Sequence, residues 1–233
     1  DVTYTSKYNK KNQSTQIDTN DGVLYTFYYN NNGILIQFAK DGKNISSKNE
    51  YNISYDKEIV TIEDRTSFKI NASECLTNYE LQYEGGYHKS TKEYAYDNHS
   101  NLIKEIHTST SPDEKDIFTT TYQYSTFYSP FANLSLPPWL LLSTNKYSDY
   151  EHEFLNLPFH NIVGTHLPQK TNFEGVFYKN DELIEVDLPY EEYSTILVLS
   201  NENNYPTNFK IVGADFKNDR YNYEYTVIYK EIK

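Results

Sequence analysis

The chain has 233 residues, a net charge of −12, 25 tyrosines and 12 phenylalanines, one cysteine and no methionine. That charge argues against a nucleic-acid binder, which needs a basic face to meet phosphates, and against anchoring to anionic lipid by charge. A lone Cys75 excludes an intrachain disulfide, and with no run of about 18 apolar residues no membrane-spanning helix is expected.

Tyr, Thr, Ile and Phe suit the pleated, half-buried surface of a strand, so an all-β fold is expected. All-β folds of this length are often single domains, and one β domain over 1–233 is the expectation. The opening at Asp1, with no Met anywhere, reads as a processed or trimmed product. A transmembrane barrel needs strands of about 9–11 residues whose alternate, lipid-facing positions are apolar. Lys89, Lys92 and Glu93 put charge on both faces, which argues against that reading.

Residues 1–20 are mostly polar, with Lys7, Lys10 and Lys11 among them, and read as an edge strand or hairpin. Asp18-Thr19-Asn20-Asp21-Gly22 faintly resembles the start of a calcium loop, but Gly comes one place early and no closing acid follows. A hairpin turn is expected there. Alternation marks strands at 23–29, 34–39, 51–55, 59–63, 66–70, 76–83, 90–96, 102–108 and 117–127. The clearest unit is Tyr94-Ala95-Tyr96-Asp97-Asn98-His99-Ser100-Asn101-Leu102-Ile103: two tyrosines on one strand face, an Asp-led turn, then an apolar restart. Related units occupy 27–35, 53–60, 81–87 and 177–184. In the first of these, Gly33 supplies the positive φ a tight turn wants.

The pattern breaks at 128–172, which carries Pro130, Pro137, Pro138, Pro158 and Pro168. Proline cannot donate to a ladder, so this is expected to be an irregular insert covering an edge or end of the sheet. Pro138 followed by Trp139-Leu140-Leu141-Leu142 predicts a short helix near 138–147. Strands resume at 173–178, 183–188, 195–199 and 209–213. The chain closes on Tyr221, Tyr223, Tyr225, Val227 and Tyr229, all on one face of a final strand.

Little of this is catalytic in type. His152 between Glu151 and Glu153, with His160 and His166 beyond, matches no zinc spacing. There is no Gly-x-Ser-x-Gly elbow and no phosphate-binding Gly-rich loop. Cys75 has no neighbouring cation to activate it and reads as a buried or half-buried thiol rather than a nucleophile. Aromatic rings can stack on sugar faces. The non-repeating insert is the place for such a site, with Tyr128, Trp139, Tyr147 and Tyr150 as candidate ligand-binding residues. No metal and no cofactor are expected.

The Tyr-x-Tyr-Asp unit with its turn and Leu102-Ile103 looks like a "YD" hairpin. With the Pro- and Leu-rich break after Tyr124-Ser125, ending near Gly164-Thr165-His166-Leu167-Pro168, it resembles a family of uncharacterised Bacteroidetes envelope lipoproteins. These form a domain of unknown function with a porin-like β fold. The resemblance covers roughly residues 20–233. It departs from the pattern at Ser100, where the unit's turn Gly is replaced, and in lacking the lipid-bearing N-terminal Cys. It implies export, a location in the cell envelope (periplasm or surface) and a lipid anchor in the full-length protein. It brings no catalytic residues.

The expectation is therefore an antiparallel meander of more than ten strands, strongly curved or closed like a barrel, and a non-enzymatic envelope protein binding glycan or a small ligand. The alternative is a structural or protein-interaction role, with envelope proteins as partners; a glycan-processing hydrolase ranks below both. Membrane contact is expected only through an N-terminal lipid, and oligomeric state is left open.

Overall fold

The computed structural model describes residues 4–20, 22–42, 49–63, 66–82, 87–130, 132–142, 164–214 and 220–228. Their contacts group into two compact units, where one domain over 1–233 was expected. The first comprises Asp1–Thr77 with Leu134–Asn161, the second Asn78–Asn133 with Ile162–Lys233.

In the first unit the strands are β1 (Tyr4–Tyr8), β2 (Ser14–Thr19), β3 (Val23–Tyr29), β4 (Leu35–Gly42), β5 (Asn49–Asp56), β6 (Ile59–Ile62) and β7 (Thr66–Ile70). The unit boundary falls early in β8 (Leu76–Gln82). Each strand pairs antiparallel with its sequence neighbour from β1 through β7. Alternation along these strands sends one set of side chains inward. Ile17, Tyr25, Phe27, Leu35, Phe38, Val60, Ile62 and Phe68 are all buried, an apolar core of ordinary kind.

A single helical turn, α1 (Pro138–Leu142), follows a short 3-10 turn at Ala132–Leu134. Pro138 opens it, where a missing N–H costs nothing. Trp139 N–H donates to Glu74 O at 3.1 Å. The helix begins where expected; residues 143–147 of the expected span lie outside the described residues.

The second unit holds the rest of β8, then β9 (Lys89–Tyr96), β10 (Leu102–Thr110), β11 (Glu114–Tyr128), β12 (His166–Lys179), β13 (Glu182–Ser200), β14 (Pro206–Ala214) and β15 (Arg220–Thr226). Pairing is again antiparallel and in chain order. The irregular insert is shorter than 128–172. Tyr128 ends β11, and His166–Asn172 already belong to β12. Pro168 fits because it meets Tyr124 at a register shift, and β13 pairs only from Lys170 onward, so no ladder wants its missing N–H. The strands expected at 183–188 and 195–199 are one strand. Leu188 and Pro189 bulge opposite Glu174 between the pairs Tyr190–Phe173 and Asp187–Gly175, which lets the chain run through a proline.

This unit is strongly curved at one end. Tyr128 and His166 form a non-hydrogen-bonded pair, since it is Ser129 N–H that donates to Thr165 O at 2.9 Å. Tyr128 N–H therefore points away from β12, and it donates to Asn204 O at 3.0 Å. Asn204 lies in the turn between β13 and β14. To reach the far edge of β11, the end of β13 bends across the start of β12.

Candidate functional site

Of the four ligand-binding candidates, Tyr147 and Tyr150 lie outside the described residues, as do His152 and His160. Trp139 is a core residue at 0% exposed, its ring 5.3 Å from Phe68. A ring so covered offers no face to a sugar. Its indole Nε1 and the Tyr55 hydroxyl are both buried. They lie near each other: burial and then the Glu74 carboxylate push the Tyr55 phenol up to about 12, while the indole N–H draws it back.

Tyr128 is 40% exposed, but its ring faces are in use. The His166 ring stacks on it at 5.6 Å and the Tyr205 ring at 5.0 Å. The stack is fixed from below: Asn101 Oδ1 accepts from His166 N–H at 3.0 Å, and His166 Nδ1 faces both Asn101 Nδ2 at 3.2 Å and Thr165 Oγ1 at 2.9 Å. These residues read as a clasp for the curved end rather than a stacking platform.

The second unit shows different chemistry on its inner face. Across β9 and β10, Tyr94 lies opposite Glu105, Lys92 opposite His107, and Ser90 opposite Ser109. Alternation puts all six on one side. In β11, Phe118 lies opposite His107, and Thr171 of β12 lies opposite Tyr122. Where the first unit buries apolar groups, this face buries Ser90, Lys92, Glu105 and Thr171. Buried charges persist only when paired. Lys92 Nζ sits 3.2 Å from Glu105 Oε1, with the two side chains 7% and 11% exposed. Tyr122 Oη donates to Glu105 Oε2 at 3.4 Å.

Next to the ion pair, Ser90 Oγ lies 2.8 Å from His107 Nε2. Burial, reinforced by the Lys92 cation, holds His107 down to about 4, against the smaller opposing pull of Glu105. It is neutral near pH 7. Burial likewise pushes the Tyr94 phenol well above its ordinary value, with Glu105 adding to the effect. The polar group passes directly into an aromatic one. Phe118 is stacked on Phe173 at 5.6 Å, meets Phe177 edge-on at 5.6 Å, and lies 5.8 Å from the His107 ring. Gly175 lies opposite Phe118.

One polar atom on this face has no partner. Thr171 is 0% exposed, and its Oγ1 makes no hydrogen bond within the protein. The face can thus offer a half-buried ring platform (Phe118, Phe177, His107) and a fixed charge pair, while the Thr171 hydroxyl stays covered. Among the described residues no three His, Cys, Asp or Glu side chains gather to hold a metal. Sequence reading missed this set. Its signal was the i, i+2 spacing of Ser90, Lys92 and Tyr94 and of Glu105, His107 and Ser109, polar groups on the same strand faces as aromatics.

No family model matches the chain, and no curated protein does. Among solved structures it is similar to a porin-like protein from Bacteroides vulgatus ATCC 8482, at 13% identity and a TM-score of 0.35 over 96% of this chain and 85% of that one. It is also similar to a porin-like protein from Bacteroides uniformis ATCC 8492, at 14% identity and a TM-score of 0.35 over 97% of this chain and 91% of that one.

Proposed function

We propose that this chain is a non-enzymatic binding protein of the cell envelope, and that the inner face of its second unit seats a small ligand carrying a flat apolar face and hydroxyls, as a sugar ring does. The observation that supports this is the half-buried aromatic group of Phe118 and Phe177 beside a locked ion pair. A ring stacked on Phe118 covers apolar area. Its hydroxyls would meet polar side chains of the same face that keep some exposure, such as half-buried Ser109.

The envelope location and lipid anchor rest on the YD-type hairpin units. Against a hydrolase stands the use of Glu105. A serine–histidine pair needs a carboxylate to orient the imidazole, and Glu105 is held by Lys92 and Tyr122 instead. The test is a glycan array followed by calorimetry on the best binder. Phe118→Ala and Phe177→Ala are each expected to weaken binding about tenfold or more. Failure to bind across the array, an affinity unchanged in Phe118→Ala, or release of new reducing ends from the bound glycan overturns the proposal.

A further inference from the structure

Among the described residues β14 pairs with β13 only from Tyr193 to Ser200, yet β13 begins at Glu182. Its first half is hydrogen-bonded to β12 alone, so the opposite edge presents free backbone donors and acceptors. Pro189, which has no N–H, ends the usable run. That leaves Glu182–Leu188, about seven residues, the reach of a short extended peptide. Along it Leu183, Ile184 and Val186 are 58%, 60% and 47% exposed, which is unusual for three apolar side chains so close together.

Such an edge invites pairing, and its charge selects the partner. From Asp181 to Glu192 the sequence carries Asp181, Glu182, Glu185, Asp187, Glu191 and Glu192 and no cation. A second copy would lay these carboxylates against their own kind, and like charges directly opposite are destabilising. An extended strand alternating basic and apolar residues would meet both the carboxylates and the exposed Leu183, Ile184 and Val186. We propose that residues 182–188 are a docking edge for a basic, apolar-alternating peptide segment of a partner protein, which adds to β13 as a further strand.

The experiment uses a labelled decapeptide of alternating lysine and valine, followed by fluorescence anisotropy with the whole chain. Saturable binding is expected, weakened about tenfold in the surface variant Ile184→Ser/Val186→Ser and about tenfold in Glu182→Gln/Glu185→Gln. A lysine–glycine–serine peptide of the same charge, which has little tendency to form a strand, is expected to bind at least about tenfold more weakly. No binding by the lysine–valine peptide, equal binding by the two peptides, or an affinity indifferent to the Ile184/Val186 variant overturns the proposal. So does a dimer in light scattering that the Ile184→Ser/Val186→Ser variant abolishes, which would make a second copy the occupant.

Discussion

Lys92 and Glu105 show how much one pair of residues can decide. Two charges in nearly dry surroundings cost more to desolvate than a surface pair, and their attraction offsets that only while both are present. Lys92→Ala leaves Glu105 buried alone, and a loss of about 3–5 kcal/mol in urea denaturation is expected. Lys92→Met/Glu105→Leu removes both charges and is expected to fall within about 1 kcal/mol of the parent protein. His107 adds a pH dependence. Its folded value of about 4 lies below the ordinary 6.5 of an unfolded histidine. Between these values the unfolded chain takes up a proton that the folded chain refuses. The contribution of neutral His107 is thus fully present above about 6.5 and is lost as pH falls toward 4. Melting temperatures of the parent are expected to fall more steeply from pH 7 to 4.5 than those of His107→Gln; equal slopes would show that the imidazole is not the group responsible. None of these three residues stands out in the sequence. Each is an ordinary polar residue on an alternating strand, and only the register across β8 to β12 makes that face the inner one.

Hairpin turns are the recurring element, and their rule is sharper than the YD pattern suggested. Asp97 Oδ1 accepts from the N–H groups of His99 and Asn101 at 2.8 and 2.9 Å, and Oδ2 accepts from Asn101 Nδ2 at 2.8 Å. Burial works to raise the Asp97 carboxyl, but these bonds, with His99 nearby, outweigh it and hold the carboxyl below its usual range. Ser100, three residues on, has φ +61°. The same backbone turn opens on Asn9, Asn30, Asn71 and Asn201, with the positive-φ position filled by Asn12, Gly33, Glu74 and Asn204. An Asn or Asp side chain folds the loop, and the left-handed residue closes it, the three-residue hairpin form. The tyrosines are incidental to it. That is why 27–35 and 94–103 were legible while the turns at Asn9, Asn71 and Asn201 were not. The unit at 177–184 turns differently, on two residues, Asn180 and Asp181, both at positive φ.

A non-glycine residue in that conformation carries about 1 kcal/mol of strain or more. Ser100→Gly is therefore expected to stabilise by up to about 1 kcal/mol, and Asp97→Ala to destabilise by about 1–2 kcal/mol, both read by chemical denaturation. A stable Asp97→Ala protein would mean that the backbone closes the turn unaided. The clasp beside it leaves less freedom. A Cβ on Gly164, whose φ is +123°, would lie 2.5 Å from Asn101 Cα, so Gly164→Ala must displace the Asn101 backbone that holds His166.

At the scale of the whole molecule, the two units differ in what they bury. The single tryptophan reports on the first unit, and the Lys92–Glu105 pair sits in the second. In Lys92→Ala the far-UV circular dichroism transition is expected to shift or split while the Trp139 fluorescence transition keeps its midpoint. A common shift of both signals would show one cooperative unit instead.

Composition, alternation and turn chemistry were local facts, and they determined the all-β class, most strand positions, the start of α1 at Pro138 and the burial of Cys75. The tertiary structure decided which strand face turned inward, that Trp139 became core and Tyr128 a clasp, that Pro168 and Pro189 lay within strands, and that the first half of β13 kept a free edge. Those outcomes depend on register and curvature. Both are set by contacts between residues tens of positions apart, which a period-2 pattern in one strand does not encode.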